Sequence, residues 1–309
     1  MDLLDRMNHA IDYVERHITS DLNLPELAKL TCCSTYNFQR MFSLVTGITI
    51  VEYVRRRRLT LAALELQQGN VKVIDVALKY GYDSPVSFSR AFQTLHGITP
   101  SEAKRSNMKL KAFPRMSFQI SIKGVGEMNY RIVKTEPFKV FGLEEVVSTV
   151  GERYFQHGCE IWGAIWGANF ENGKHGQLTL DAGQENPPFY ETMFSEEMRE
   201  VLWKVHGLMN YKKIDDTTYG YMQCSFITPN SKTEGYSVVE IPATTWVVFP
   251  TGWVSWEELG STIDDLFKRF YSEWLPTSDY ERVEGPEFEM HGGTLEKAYL
   301  ELWMPIRKK

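Results

Sequence analysis

The sequence predicts two unlike parts: an all-α domain of two helix-turn-helix units over residues 1–108, and an α+β domain over residues 128–309, joined by a linker at 109–127. Three observations carry this reading. A sixteen-residue pattern in the first third returns after 50 residues. The charge changes sign: residues 1–109 hold 14 Lys and Arg against 11 Asp and Glu, and the remaining 200 hold 20 against 29. From about residue 128 the apolar spacing shifts from helical periods to short β-rich runs.

Composition sets the outer bounds. A chain of 309 residues has the length of two domains, and 43% hydrophobic with 24% charged residues excludes wholesale disorder. Four cysteines without a CxxC pair, and seven scattered histidines, support neither a disulfide framework nor a structural zinc. No metal and no cofactor is expected. The apolar runs are too short to span a bilayer, and the acidic start lacks a signal-peptide core. The expectation is a cytoplasmic protein without a membrane partner. The net charge of −6 argues against nucleic acid only as an average, because the first part is basic by itself.

The repeat compares STYNFQRMFSLVTGIT (34–49) with SPVSFSRAFQTLHGIT (84–99), identical at seven positions: Ser34/Ser84, Phe38/Phe88, Arg40/Arg90, Phe42/Phe92, Gly47/Gly97, Ile48/Ile98 and Thr49/Thr99. Ser34 and Ser84 are suited to cap helix N-termini. The Phe pairs at i, i+4 form one apolar face. Gly47 and Gly97 suit a turn that needs positive φ. A shorter helical pattern precedes each copy, LPELAKL (24–30) and VIDVALKYGY (73–82). Helix, turn and capped helix, twice, describe two helix-turn-helix units.

Opposite the Phe face lie Tyr36, Gln39, Arg40 and Ser43 in the first copy, and Val86, Ser89, Arg90 and Gln93 in the second, with Ser87 near the helix start. Arg bonds a guanine edge bidentately and Gln suits adenine. The alternative is an ordinary solvated face. The stretch 50–69 between the copies is an amphipathic helix. Its run Arg55–Arg58 spans more than one turn and cannot share one face, which leaves some for phosphate and others for Glu52, Glu65 or the core.

These residues resemble the AraC/XylS family of transcriptional regulators. The marks are S-x3-F-x-R-x-F-x4-G in the first unit, Tyr53, Arg58, Leu59 and Ala62 in the connecting helix, and Gly81, Tyr82, Ser84, Phe88, Ser89, Arg90, Phe92, Gly97, Thr99 and Pro100 in the second. Ile50 stands where the first unit often has proline. The resemblance implies seven helices, double-stranded promoter DNA as partner, and two recognition helices in successive major-groove segments. By motif position Tyr36, Gln39 and Arg40 read bases from the first helix, and Val86, Ser87 and Arg90 from the second. Activation through RNA polymerase is a further implication.

In the acidic part, β-rich runs (129–148, 219–228, 236–250, 298–306) alternate with helical patterns at 151–170 and 255–275. All eight tryptophans follow residue 160. In the last run Tyr299, Glu301 and Trp303 share one face by period-2 alternation. A carboxylate between two aromatics is costly in a dry core and suits a polar group lining a pocket. Glu289, in PEFEMH (286–291), is placed to join it. Trp162, Trp166, Trp246 and Tyr221 are the remaining candidates for an aromatic lining, though core packing explains any one tryptophan as well.

This region resembles the GyrI-like effector-binding domain, on the segments 138–143, 239–249, 273–281, 285–289 and 301–306. His291 stands where that family often has tyrosine. The resemblance implies a duplicated β-α-β-β unit, a groove for an apolar and often cationic multidrug-like effector, and Glu289 as the pocket glutamate. The whole then reads as a ligand-responsive transcriptional regulator and not an enzyme. Two alternatives stand beside it: a small-molecule hydrolase using Glu289 and Glu301 as acid and base, and a protein-interaction module.

Overall fold

A computed structural model describes residues 3–68, 71–105, 108–118, 128–148, 158–187, 189–215 and 218–309. The chain forms two compact units, Met1–Ser121 and Ile122–Lys309. Among the described residues no helix is long and apolar enough to cross a membrane.

The first unit is helical. It comprises α1 (Leu3–Arg16), α2 (Leu24–Thr31), α3 (Thr35–Thr46), α4 (Ile50–Gln68), α5 (Val73–Lys79), α6 (Pro85–His96) and α7 (Pro100–Ala103). Ser34 Oγ accepts from Asn37 N–H, and Ser84 Oγ from Val86 and Ser87 N–H, which caps α3 and α6 as the sequence predicts. Gly47 and Gly97 end these helices at φ +74° and +80°. The two inter-helix turns differ: Gly81 takes φ +80° after α5, but Cys32 takes φ 55° after α2, where a side chain is disfavoured. Phe38 and Phe42, and Phe88 and Phe92, are fully buried.

The arginine run of α4 is scaffold. Arg55 and Arg56 both bond the Glu52 carboxylate, and Arg57 grips Glu15 through Nε (2.8 Å) and Nη2 (2.7 Å). Arg58 donates to the Ile18 and Ser20 carbonyls. Glu65 pairs with Lys79, not with an arginine. Against the desolvation of burial, the bonds from Arg55 and Arg56 hold the Glu52 carboxyl below its usual range. Residues 108–118, part of the expected linker, are held onto this unit. Phe113 N–H donates to Thr60 Oγ1, and Phe118 is tied to the Asn8 amide through both backbone groups. Residues 119–127 lie outside the described part.

The second unit is one ten-stranded antiparallel sheet. Its strands are β1 (Arg131–Thr135), β2 (Phe138–Ser148), β3 (His206–Met209), β4 (Thr218–Phe226), β5 (Ser237–Ile241), β6 (Thr244–Pro250), β7 (Val254–Ser255), β8 (Tyr280–Arg282), β9 (Glu287–Gly293) and β10 (Lys297–Lys308). Its helices are α8 (Gly158–Glu171), α9 (Lys174–Ala182), α10 (Tyr190–Met193), α11 (Glu196–Val201) and α12 (Leu259–Arg269), the last prolonged by a π-helical turn, Phe270–Trp274. The order β1-β6-β10-β9-β3-β4-β2-β5 is symmetric about the β3/β9 seam. It contains the unit β2-α8-β3-β4 and its copy β6-α12-β9-β10, the duplicated β-α-β-β that the resemblance implies.

The sheet has two unlike faces. One is an apolar core in which Leu208, Met222, Trp246, Phe288, Met290 and Trp303 pack with Met193, Phe194 and Met198 of the α10–α11 segment. The other lies under α8, α9 and α12.

Candidate functional site

Cross-strand register decides which candidates meet, because paired residues project to the same face. On β9 and β10, Met290 is opposite Glu301 and Phe288 opposite Trp303, whereas Glu289 is opposite Leu302. Glu301 and Glu289 therefore project from opposite faces. The expected joint pocket is corrected into two separate places.

Glu301, Trp303, Tyr299 and Trp246 belong to the apolar face. Trp246 and Trp303 meet edge to face at 6.0 Å, both fully buried. Glu301 is also fully buried, and its oxygens are met from three sides. Arg131 binds it bidentately, Nη1 to Oε1 at 2.7 Å and Nη2 to Oε2 at 2.6 Å. Ser195 Oγ donates to Oε1 (3.0 Å) and Trp303 Nε1 to Oε2 (3.2 Å). Arg131 also lies over the Trp303 ring at 5.5 Å. The residue that the sequence reads as a pocket acid is a buried structural ion pair. The acid–base pair of the hydrolase reading cannot assemble.

Glu289, Tyr221, Trp162 and Trp166 come together on the helical face. Glu289 lies on β9 at the seam, opposite Gly207 of β3. A side chain at 207 would crowd this spot: its Cβ would stand 3.1 Å from the Tyr221 hydroxyl and 3.2 Å from Glu289 Oε2. Trp162 and Trp166 are one turn apart on α8. Trp162 stacks parallel to Tyr221 with centroids 5.9 Å apart, and Trp166 Nε1 donates to the Tyr221 hydroxyl at 2.5 Å. Glu289 is 3% exposed, and its Oε1 has no hydrogen-bond partner among the described residues. The nearest cation-forming group is His291 Nε2, 3.8 Å from Oε2. A buried carboxylate with an unmet oxygen, in one cluster with three aromatic rings, has the chemistry of a receptor for a hydrogen-bonding cation. Along the other side of α8 runs a cavity of about 450 Å³, lined by Glu145, Ile161, Ala164, Ile165, Ala168, Asn169, Asn172 and Lys174.

Sequence reasoning missed Gln223 and His175 as members of this cluster. His291 packs on Trp166 at 4.4 Å, and His175 at 5.4 Å. Burial pushes the His175 imidazole down, with Gln223 working against the shift. One signal was available for Gln223. It is an amide in a strand, TYGYMQCSF, whose two faces otherwise read as buried.

In the first unit the two copies differ. Val86 (72% exposed), Ser87 and Arg90 of α6 are exposed, as a reading helix requires. On α3 the expected outward face is enclosed: Tyr36, Gln39 and Arg40 are 8%, 9% and 5% exposed, and Ser43 is buried too. Buried polar groups persist where they are bonded, and Tyr36 and Arg40 are both engaged.

Comparison with known proteins gives two family matches. Residues 27–106 match a helix-turn-helix domain family, and residues 131–306, more than half of the chain, match the family of the integron-associated effector binding protein. The HTH-type transcriptional activator AarP of Providencia stuartii is 42% identical over 89 residues, 29% of this chain and 66% of AarP. The regulatory protein SoxS of Salmonella typhimurium is 41% identical over 92 residues, 30% of this chain and 86% of SoxS. A bacterial transcription regulation protein from Staphylococcus aureus MU50 matches 59% of this chain and 99% of its own at 16% identity, with a TM-score of 0.42.

Proposed function

Because the chain belongs to the AraC/XylS family of DNA-binding transcriptional regulators and carries a GyrI-like effector-binding domain, we propose that it is a cytoplasmic activator whose effector is a small apolar cation bound at Glu289. The single observation that supports this most is the Oε1 of a 3% exposed glutamate, unmet among the described residues, in one cluster with Trp162, Trp166 and Tyr221. The aromatic rings supply apolar area and cation–π attraction, and the carboxylate supplies neutralisation. For regulation, the effector must bind the DNA-competent and incompetent states unequally. Recruitment of RNA polymerase is the matching route to activation.

On DNA, α6 supports the reading directly, since Arg90 and Ser87 are exposed and Val86 offers an apolar contact to a thymine methyl. Arg90→Ala is expected to weaken a specific site by about 1–3 kcal/mol in a gel-shift titration. Arg40→Ala is expected to weaken it less, because Arg40 starts from an enclosed position. Unchanged binding by Arg90→Ala would overturn the assignment of α6.

A further inference from the structure

Glu289 is not the only buried group in its cluster whose hydrogen bonding is incomplete. Gln223 is fully buried at the middle of β4, and the His175 ring beside it can meet only one end of its amide. The register sets Gln223 opposite Gly207, and Gly207 opposite Glu289. The three form one row across β4, β3 and β9, on the helical face. The two polar residues are two strand spacings apart, about 10 Å between backbones, and the residue between them has no side chain. His291 Nε2 stands 3.8 Å from Glu289 Oε2, beyond hydrogen-bond reach. Asn169 of α8 is 3% exposed, has an unmet Nδ2, and lines the 450 Å³ cavity.

Packing alone does not account for this row. A leucine or methionine at position 223 would fill the same volume without a desolvated amide. Glu289 Oε1 needs a donor, and the end of the Gln223 amide that His175 does not meet needs a second partner. A quaternary onium group provides charge but no N–H, and would leave Glu289 Oε1 unmet. A protonated amine provides the donor for Glu289, and a second polar group on the same ligand satisfies the amide.

We propose that Gln223 is a specificity-determining residue and that the effector is an N–H-bearing cation with a second hydrogen-bonding group, such as an amino-amide, in preference to a quaternary ammonium ion. This rests on the reading of Glu289 as the effector carboxylate. The test titrates the full chain by tryptophan fluorescence with four probes: 4-(aminomethyl)benzamide, its N-monomethyl derivative, its N,N,N-trimethyl derivative, and 4-methylbenzylamine, which lacks the amide. The parent and monomethyl probes are expected to bind within threefold of each other. Each of the other two is expected to bind at least tenfold more weakly than the parent. Gln223→Leu should bring the parent and 4-methylbenzylamine within threefold, and Glu289→Gln should weaken every cation. Equal binding of the trimethyl and parent probes, with Glu289→Gln still weakening both, overturns the N–H requirement and leaves the site assignment standing. Binding of no probe, or binding indifferent to Glu289→Gln, overturns the site assignment as well. The wild-type ratios decide the matter even if Gln223→Leu fails to fold.

Discussion

Glu301 and Glu289 lie on neighbouring strands of one sheet and are both removed from water, yet they have opposite surroundings. Glu301 is held by Arg131, Ser195 and Trp303, with bonds to both oxygens. Among the described residues Glu289 has an oxygen without a partner and a histidine 3.8 Å from the other. Its neighbour Glu287 resembles Glu301, being fully buried against Arg282. Burial of an acid is therefore a poor marker of a site in this domain. What separates the two roles is whether the fold itself completes the hydrogen bonding. The completed acids brace the sheet, and the incomplete one is left for a ligand.

The contrast is broken most directly by removing each charge in turn. Glu301→Gln leaves the half-buried Arg131 guanidinium without its counter-charge and is expected to cost about 1.5–3 kcal/mol in denaturant unfolding. A loss below about 1 kcal/mol would show that the Arg131 pair is not a brace. Cation affinity, measured under conditions where the variant is folded, should stay within a factor of about two.

A pH series sharpens the comparison from the histidine side. Burial, aided by the charges of His291 and Lys204, pushes His206 down to about 3. The unfolded chain takes up this proton near pH 6.5 and the folded chain does not, so stability is full above 6.5 and falls as pH drops towards 3. The expected slope well between these two limits is about 1.4 kcal/mol per pH unit for this one group. His175, also lowered by burial, adds in the same direction. His206→Leu should flatten the slope, and an unchanged slope would contradict a neutral His206.

The smallest stability effect is expected at Glu289. Glu289→Gln replaces a buried acid whose hydrogen bonding the fold leaves incomplete, so its unfolding free energy should change by less than about 1 kcal/mol or rise. A loss comparable with that of Glu301→Gln would make both acids structural.

Much of this was legible in the sequence. The duplicated caps, Phe pairs and glycines fix the helix-turn-helix units through local rules that need no tertiary information. The strand runs near 129–148, 219–228, 236–250 and 298–306 were readable from their apolar, β-rich composition. The grouping of Glu289 with Glu301 was not readable. Alternation places each residue correctly on its own strand, but the face it shares with its neighbour depends on register, and a one-residue shift reverses it. Gln223 and His175 were missed because their significance lies in contacts that the strand and helix patterns do not show. The enclosure of Tyr36, Gln39 and Arg40 was equally hidden, since α3 and α6 carry the same motif and the burial of a helix face depends on its surroundings.

The central claim is that a cation enters beside Glu289 and not beside Glu301. The most direct measurement is the side-chain carboxyl 13C resonance of each glutamate in the full chain, followed during titration with 4-(aminomethyl)benzamide. The account predicts a saturable shift at Glu289 while Glu301 stays still. A shift at Glu301 with Glu289 unmoved would contradict it.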